Sequence, residues 1–315
     1  MSTEIVVTGM GVAVPGATSG KGVLEPAAAE PVNPAERIGK KGLRHKHRST
    51  QLGLVAAYEA LRESGLLVEA DDPKSPVTRP EEVGVVAASN YGNLDSVSNA
   101  VDTIAEEGST RLLSPVGTPD LSSNVIASEV AIRYALRGPN LSVCNGATSG
   151  LDTLRWAATW LGAGRARQVV VLAVEPDNEV VRGFLGGRNI VDGAIALVVE
   201  TAGAAAQRSA VAQAGFGGYR RSGDIEGVVR GLRVEAEALA GWYGPEGRAD
   251  AAALAKATRF ELSESWGVCS SVLGLLQCAG AVARFRAGTS EPVLAVAGGA
   301  GDDASAGVLM SPAAS

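Results

Sequence analysis

The sequence predicts an α/β fold whose sheets are covered by helices on both faces, and three observations predict it. Apolar runs without polar alternation, at 83–87 and 169–174, require strands buried on both sides. Between such runs, apolar residues recur at helical spacing, as in Leu52, Val55, Ala56 and Leu61, and in Leu151, Leu154, Ala158 and Leu161. The order strand, long small-residue helix, apolar strand, glycine turn and final strand occurs at 141–200 and again at 270–310, which marks a duplicated α/β unit.

Taken in order, 5–8 is a β-rich run that stops at Gly9 and Gly11, and a helix spans 49–64. The segments 16–35 and 70–82, rich in Pro, Ala, Glu and Asp, read as surface loops. The strand at 83–87 closes at Ser89 and Asn90; the helix at 151–161 ends at Gly162-Ala163-Gly164, with the 169–174 strand behind it. Residues 201–210 are Ala-rich with no periodic apolar face and read as a join, giving an N-terminal half, 1–200, and a shortened C-terminal half, 201–315. In that second half, 272–285 reads as helix, and 293–297 and 306–310 as strands.

With 315 residues, 46% hydrophobic and 20% charged, the chain can bury a core large enough to offset its ordering entropy. A net charge of −6 argues against a dedicated nucleic-acid binder. The three cysteines, Cys144, Cys269 and Cys278, form no C-x-x-C pair and read as small buried hydrophobes. The first residues lack the pattern of a signal peptide, and no apolar stretch approaches about 20 residues. A soluble, cytoplasmic protein is expected.

Generic catalytic motifs mostly fail. Gly9-x-Gly11 follows a strand, but Val12-Ala13-Val14-Pro15 cannot open a helix that receives a pyrophosphate. Gly146-Ala147-Thr148-Ser149-Gly150 misses the nucleophile-elbow register. Both histidines, His45 and His47, lie in the basic run 40–48, where like charge and solvent would disfavour them as catalytic bases. That run reads either as a solvated loop or as a docking patch for an acidic partner or a phosphate-bearing ligand. No carboxylate or thiol stands nearby in sequence to complete a metal site, so no metal is expected.

Several stretches together resemble the β-ketoacyl synthases of the thiolase superfamily. These are Val6-Val7-Thr8-Gly9-Met10-Gly11-Val12, Ser89-Asn90-Tyr91-Gly92-Asn93-Leu94-Asp95, residues 131–140 with Arg137-Gly138-Pro139, and residues 192–200, similar to the family's GAxALVLE strand. Gly298-Gly299-Ala300-Gly301 resembles its GFGG loop without the aromatic. The resemblance implies a thiolase-like fold: a duplicated unit in α-β-α-β-α layers, with the second half shortened. It also implies where the chemistry should be. Family members carry a cysteine nucleophile at a buried helix N-terminus, which lowers its pKa; Ala147 takes that place here. Cys144, three residues earlier, is expected on the preceding strand and aimed elsewhere. The family's HGTGT histidine has no counterpart, and its GHxxGA histidine aligns with Ser271, with Trp266 in place of the usual lysine.

A scaffold without chemistry is similar to the ketosynthase β subunit, or chain-length factor, of type II polyketide synthases. Such subunits usually carry glutamine where Ala147 stands; the compact partners of highly reducing, polyene-forming systems look most similar. The resemblance implies a heterodimer with an active ketosynthase, an acyl carrier protein presenting substrates on its phosphopantetheine, and no cofactor of the chain's own. It implies a subunit interface at Ser142, Val143, Cys144 and Asn145. An acyl tunnel is expected along Pro119, Ser122, Ser123, Val125 and Ile126, although Val125 and Ile126 also read as ordinary core. Two alternatives stay open: relocated acyltransferase or malonyl decarboxylase chemistry at Cys269 or Ser271, and a self-pairing scaffold.

Overall fold

The computed structural model describes residues 4–27, 30–247, 251–262 and 264–313. In chain order the strands are β1 (Ile5–Ala13), β2 (Val83–Ala88), β3 (Asn140–Val143), β4 (Gln168–Glu175), β5 (Gly193–Thr201), β6 (Ala214–Ser222), β7 (Gly241–Tyr243), β8 (Arg259–Phe260), β9 (Val293–Ala297) and β10 (Ser305–Pro312). The helices are α1 (Gly20–Leu24), α2 (Pro34–Ile38), α3 (Arg48–Glu63), α4 (Leu94–Glu107), α5 (Val125–Tyr134), α6 (Ser149–Gly162), α7 (Glu179–Phe184), α8 (Ala202–Gln207), α9 (Ile225–Leu232) and α10 (Val272–Arg286).

The strands hydrogen-bond in the order β3-β2-β4-β5-β1-β6-β10-β9-β7-β8. The first five, counted within their half, lie in the order 3-2-4-5-1, and the last five repeat that order from the opposite edge. The two halves touch through β1 and β6 over three residue pairs only, Ile5–Val7 against Phe216–Ala214. Beyond Phe216, β6 pairs with β10 alone.

Three cores separate the layers. Apolar residues of α3 and α5 fill an outer core against one face of the first half-sheet. A central core around α6 and α10 takes residues from both half-sheets, and a small outer core lies beneath α9. The result is the expected α-β-α-β-α layering. The second half is short where expected: β7 and β8 have three and two residues against six and four in β2 and β3.

Glycines set the closest approaches. A Cβ on Gly9 would lie 2.2 Å from the Ala60 carbonyl oxygen, and one on Gly11 1.9 Å from that of Ala56. Gly9-x-Gly11 is therefore a packing device that seats β1 on α3, which accounts for the pattern without a phosphate. Likewise a Cβ on Gly150 would lie 2.3 Å from the Ser271 carbonyl oxygen, and one on Gly274 2.6 Å from Leu151 Cγ. These two glycines let α6 and α10 cross at their N-terminal ends.

Some local readings need correction. Residues 201–210 are not featureless, because Thr201 caps α8 by accepting from the Ala204 N–H. The stretch 16–35 holds α1 and the start of α2, capped by Ser19 and Asn33; residues 28–29 of that stretch, like residues 1–3 at the N-terminus, lie outside the described residues. Among the described residues no helix is long and apolar enough to cross a membrane.

Candidate functional site

The parallel strands β2, β3 and β4 all end on one side of the sheet, and the loops that follow them meet the N-termini of α6 and α10 there. Ala147 lies half-buried in the single 3-10 turn Gly146–Thr148 that leads into α6. Ser271 is fully buried at the N-cap of α10. Both positions lie near the crossing of the two helices, where Asn90 bridges Gly146 and Ser270.

One buried carboxylate organises this meeting point, and sequence reasoning missed it. Glu175 ends β4 and is 0% exposed. Its Oε1 accepts from the Asn90 N–H at 2.9 Å and the Ser271 N–H at 3.3 Å; its Oε2 accepts from the Tyr91 N–H at 3.0 Å and the Ser89 hydroxyl at 3.3 Å. Burial pushes its pKa up, and the hydrogen bonds oppose that shift. The available signal was a single Glu closing an otherwise apolar strand, since a buried carboxylate must find donors.

A second network fixes the turn. Asn90 donates through Nδ2 to the Gly146 carbonyl and to Ser270 Oγ, both at 2.9 Å, and its Oδ1 accepts from Ser149 Oγ at 3.0 Å. Asp152, in the first turn of α6, accepts from Asn145 Nδ2 and Thr148 Oγ1, each at 2.9 Å, and from the Tyr219 hydroxyl. These bonds fix the turn that leads into α6, with the Ala147 methyl group between Gly146 and Thr148. Trp266, in place of the family's lysine, is buried and donates its indole N–H to the Pro15 carbonyl at 2.8 Å.

The cysteines divide. Cys269 and Cys278 are buried, as expected, but Cys144 is exposed and lies just past the end of β3 rather than on it. Partial burial of the Cys144 thiol, with the Glu175 charge, pushes its pKa up, as burial does for Cys269, and for Cys278 to about 12. None of the three is activated towards thiolate.

The histidines also differ from expectation. His45 is exposed, but His47 is half-buried between two carboxylates, with Nδ1 3.3 Å from Asp95 and Nε2 3.4 Å from Asp120. Chain distance hid both acids, which arrive from the first turn of α4 and from the 3-10 turn Thr118–Leu121. Burial raises the Asp120 pKa, with His47 opposing. The basic run is internally neutralised elsewhere too: Lys46 pairs with Glu129, and Arg48 with Asp192 at 2.7 Å. Among the described residues no group of three or more His, Cys, Asp or Glu side chains could hold a metal ion.

The stretch 119–128 is not one helix. It divides into the 3-10 turn Thr118–Leu121, a link, and α5. Pro119, Ser122 and Ser123 are exposed, whereas Val125 and Ile126 are 6% and 3% exposed and belong to the outer core. Ile126 Cδ1 would lie 2.8 Å from a Cβ on Gly92, so it packs against the loop that carries Asn90 and Tyr91. A cavity of about 290 Å³ opens between α4 and residues 112–121, floored by His47 and Ser96 and walled by Leu112, Leu113 and Leu121.

Among the described residues, β3 lies at the sheet edge with a neighbour on one side only. Pro139 and Val143 turn their carbonyls to β2, accepting from Val85 and Ser89, so in the parallel ladder Ser142 turns its backbone N–H and C=O outward. Val143 is buried, Ser142 half-buried, and Asn145 exposed beside Cys144. Elsewhere the surface carries apolar residues that the sequence reading did not identify: Val97, Val101 and Ile104 at i, i+4, i+7 on α4 are 37%, 58% and 39% exposed, with Leu112 and Val116 each at 64%.

Residues 19–188, more than half of the chain, match the family model described as the β-ketoacyl synthase N-terminal domain. The granaticin polyketide protein of Streptomyces violaceoruber designated β-ketoacyl synthase 1 is 28% identical over 273 residues, 70% of this chain and 63% of its own length. The 3-oxoacyl-acyl-carrier-protein synthase 2 of Vibrio harveyi is 30% identical over 140 residues, 44% of this chain and 32% of its own. The chain thus spans less than two thirds of the length of these curated relatives. Among solved structures, the ishigamide ketosynthase/chain length factor matches with a TM-score of 0.81 at 22% identity, covering 99% of this chain and 100% of that one. A type II polyketide acyl-carrier protein in complex with its ketosynthase bound to the hexaketide gives 0.78 at 14% identity, covering 100% of both chains. At such identities the likeness is one of fold.

Proposed function

The chain belongs to the β-ketoacyl synthase family, and from that premise we propose that it is a catalytically silent chain-length-factor subunit. In this reading it pairs with an active ketosynthase and shapes the acyl tunnel for decarboxylative Claisen condensation in type II polyketide biosynthesis. Substrates ride on the phosphopantetheine of an acyl carrier protein, and the chain needs no cofactor of its own.

One observation supports the reading: hydrogen bonds through Asn90, Glu175 and Asp152 fix the turn around Ala147 and the start of α10, while position 147 is alanine and position 271 serine. Condensation needs a thiolate, donors for the oxyanion and groups that stabilise the enolate formed on decarboxylation. Here the nucleophile position is a methyl group, the histidine position is Ser271, and His47 is engaged by Asp95 and Asp120. Relocated chemistry finds little support, because burial pushes the pKa of the Cys269 thiol up and the Ser271 side chain is wholly buried.

Ala147→Cys tests this. Catalytic groups of this kind act as a unit, so the variant chain alone, supplied with acyl- and malonyl-carrier thioesters, is expected to form no condensation product. Product from that variant would show that the remaining frame is sufficient.

The reading assigns the subunit interface to the free edge of β3, at Ser142, Val143, Cys144 and Asn145, joined by the apolar face of α4. An obligate interface of this kind buries more than about 2,000 Å². It assigns the tunnel to Pro119, Ser122, Ser123, Val125 and Ile126, beside the cavity under α4. Ser122→Phe, at an exposed position next to that cavity, is expected to shorten the products of the reconstituted heterodimer while the first condensation survives. An unchanged product distribution would place the tunnel elsewhere. Val125→Phe is the less clean probe, because overpacking a filled core costs about 1–3 kcal/mol in stability.

A further inference from the structure

One wall of the cavity under α4 is secured largely by turns within itself. The Leu113 N–H donates to the Thr110 carbonyl, and the N–H groups of Gly117 and Thr118 both donate to the Ser114 carbonyl. Polar ties from this wall to its neighbours come from Asn93, whose Nδ2 donates to the Leu121 carbonyl at 3.0 Å, and from His47.

His47 is the N-cap residue of α3, yet its side chain caps nothing. The ring lies instead between the two walls of the cavity. Its Nδ1 is 3.3 Å from Asp95 Oδ2 on α4, and its Nε2 is 3.4 Å from Asp120 Oδ2 on the 3-10 turn. The Ser96 hydroxyl lies 3.2 Å from Nδ1 and 3.3 Å from Nε2. Asp120 is 7% exposed, and His47 is its one ion-pair partner among the described residues. The other charges around the ring are paired with each other, Lys46 with Glu129 on α5 and Arg48 with Asp192.

An imidazole donates from both nitrogens only when it carries both protons, whereas the neutral ring has one donor and one acceptor. Losing one proton therefore leaves two carboxylates sharing a single donor, and the buried one, Asp120, bears the cost. Whether that proton rests on Nε2 or on Asp120, whose pKa burial raises, the same proton closes the contact.

We propose that His47 is a positioning residue: protonated, it clasps Asp95 and Asp120 and holds residues 112–121 against α4, and its deprotonation releases that wall and deepens the cavity. On the functional reading above, the cavity adjoins the acyl tunnel, so the clasp also sets how far a chain extends; that consequence rests on the reading, and the clasp itself does not.

Hydrogen–deuterium exchange tests the clasp on the chain alone, at about pH 5.5 and about pH 8, either side of the ordinary histidine range, with rates corrected for the intrinsic effect of pH. In the unmodified chain, residues 112–121 are expected to exchange about tenfold faster at the higher pH, while α5 and β4 keep their protection. His47→Gln offers one donor at every pH, so its 112–121 segment is expected to exchange fast at both. Asp120→Asn removes the buried charge and is expected to stay protected at both, with or without His47→Gln. A pH response that survives in His47→Gln, or none in the unmodified chain, would overturn the proposal. Loss of protection throughout the chain in both variants would do so too, because the pair would then support the whole fold and not one wall. Product lengths of the heterodimer reconstituted with His47→Gln are read separately, and longer products are expected. Unchanged lengths with the exchange result intact would count against the tunnel assignment and leave the clasp standing.

Discussion

Ser142→Pro is expected to abolish stable association with the ketosynthase while leaving the fold of the chain intact. Residue 142 turns its backbone N–H away from β2, so proline removes no hydrogen bond from the chain's own ladder. Against a partner strand it would delete a donor and put a ring in the contact, and the outward carbonyl would lose its aligned neighbour. Losses of about 3 kcal/mol correspond to more than a hundredfold in affinity. Thermal unfolding of the variant alone and size-exclusion of the mixture separate the two effects. An unchanged complex would move the interface away from β3.

Glu175→Ala is expected to have the largest effect on the chain itself. It would orphan three backbone N–H groups, that of Ser271 buried and those of Asn90 and Tyr91 partly buried, and the Ser89 hydroxyl. Each unsatisfied donor costs about 1–3 kcal/mol, so a total of at least about 3 kcal/mol follows, enough to lower the unfolding temperature by several degrees. Glu175→Gln is not a neutral substitute, because both carboxylate oxygens face N–H donors and an amide must turn its NH₂ towards one of them. The pH dependence has a definite sign. Burial raises the folded-state pKa of Glu175, so the folded state binds this proton more tightly than the unfolded state does. Its contribution therefore favours folding below the ordinary carboxylate range. That advantage is lost as pH rises through the raised folded pKa, and Glu175→Ala should flatten this part of the stability profile. A variant as stable as the parent, or with the same pH profile, would contradict the role given to this carboxylate.

The layering was legible because buried strands announce themselves. The runs in β2 and β4 lack any polar alternation, and the small-residue helix that follows β3 returns as α10. What was not legible depends on contacts between distant segments. Glu175 looks like the polar end of an apolar strand until the loop after β2 and the start of α10 close over it. His47 looks solvated until Asp95 and Asp120 arrive from either side, 48 and 73 residues further along the chain. Gly9 and Gly11 have a meaning only once α3 lies against β1. The expected tunnel residues are adjacent in sequence but divided in space, with Pro119, Ser122 and Ser123 exposed and Val125 and Ile126 buried. Cys144 reads as a buried hydrophobe in the sequence but is exposed, because β3 ends at Val143, one residue before it.

The central claim is that this chain is a silent partner, and intact mass spectrometry under native and denaturing conditions tests it most directly. The chain is co-purified with its ketosynthase and incubated with acyl- and malonyl-carrier thioesters. The native spectrum is expected to show a one-to-one complex, and the denatured spectrum an acyl adduct on the ketosynthase alone. An acyl adduct on this chain, or its persistence as a monomer beside an active ketosynthase, would contradict the account.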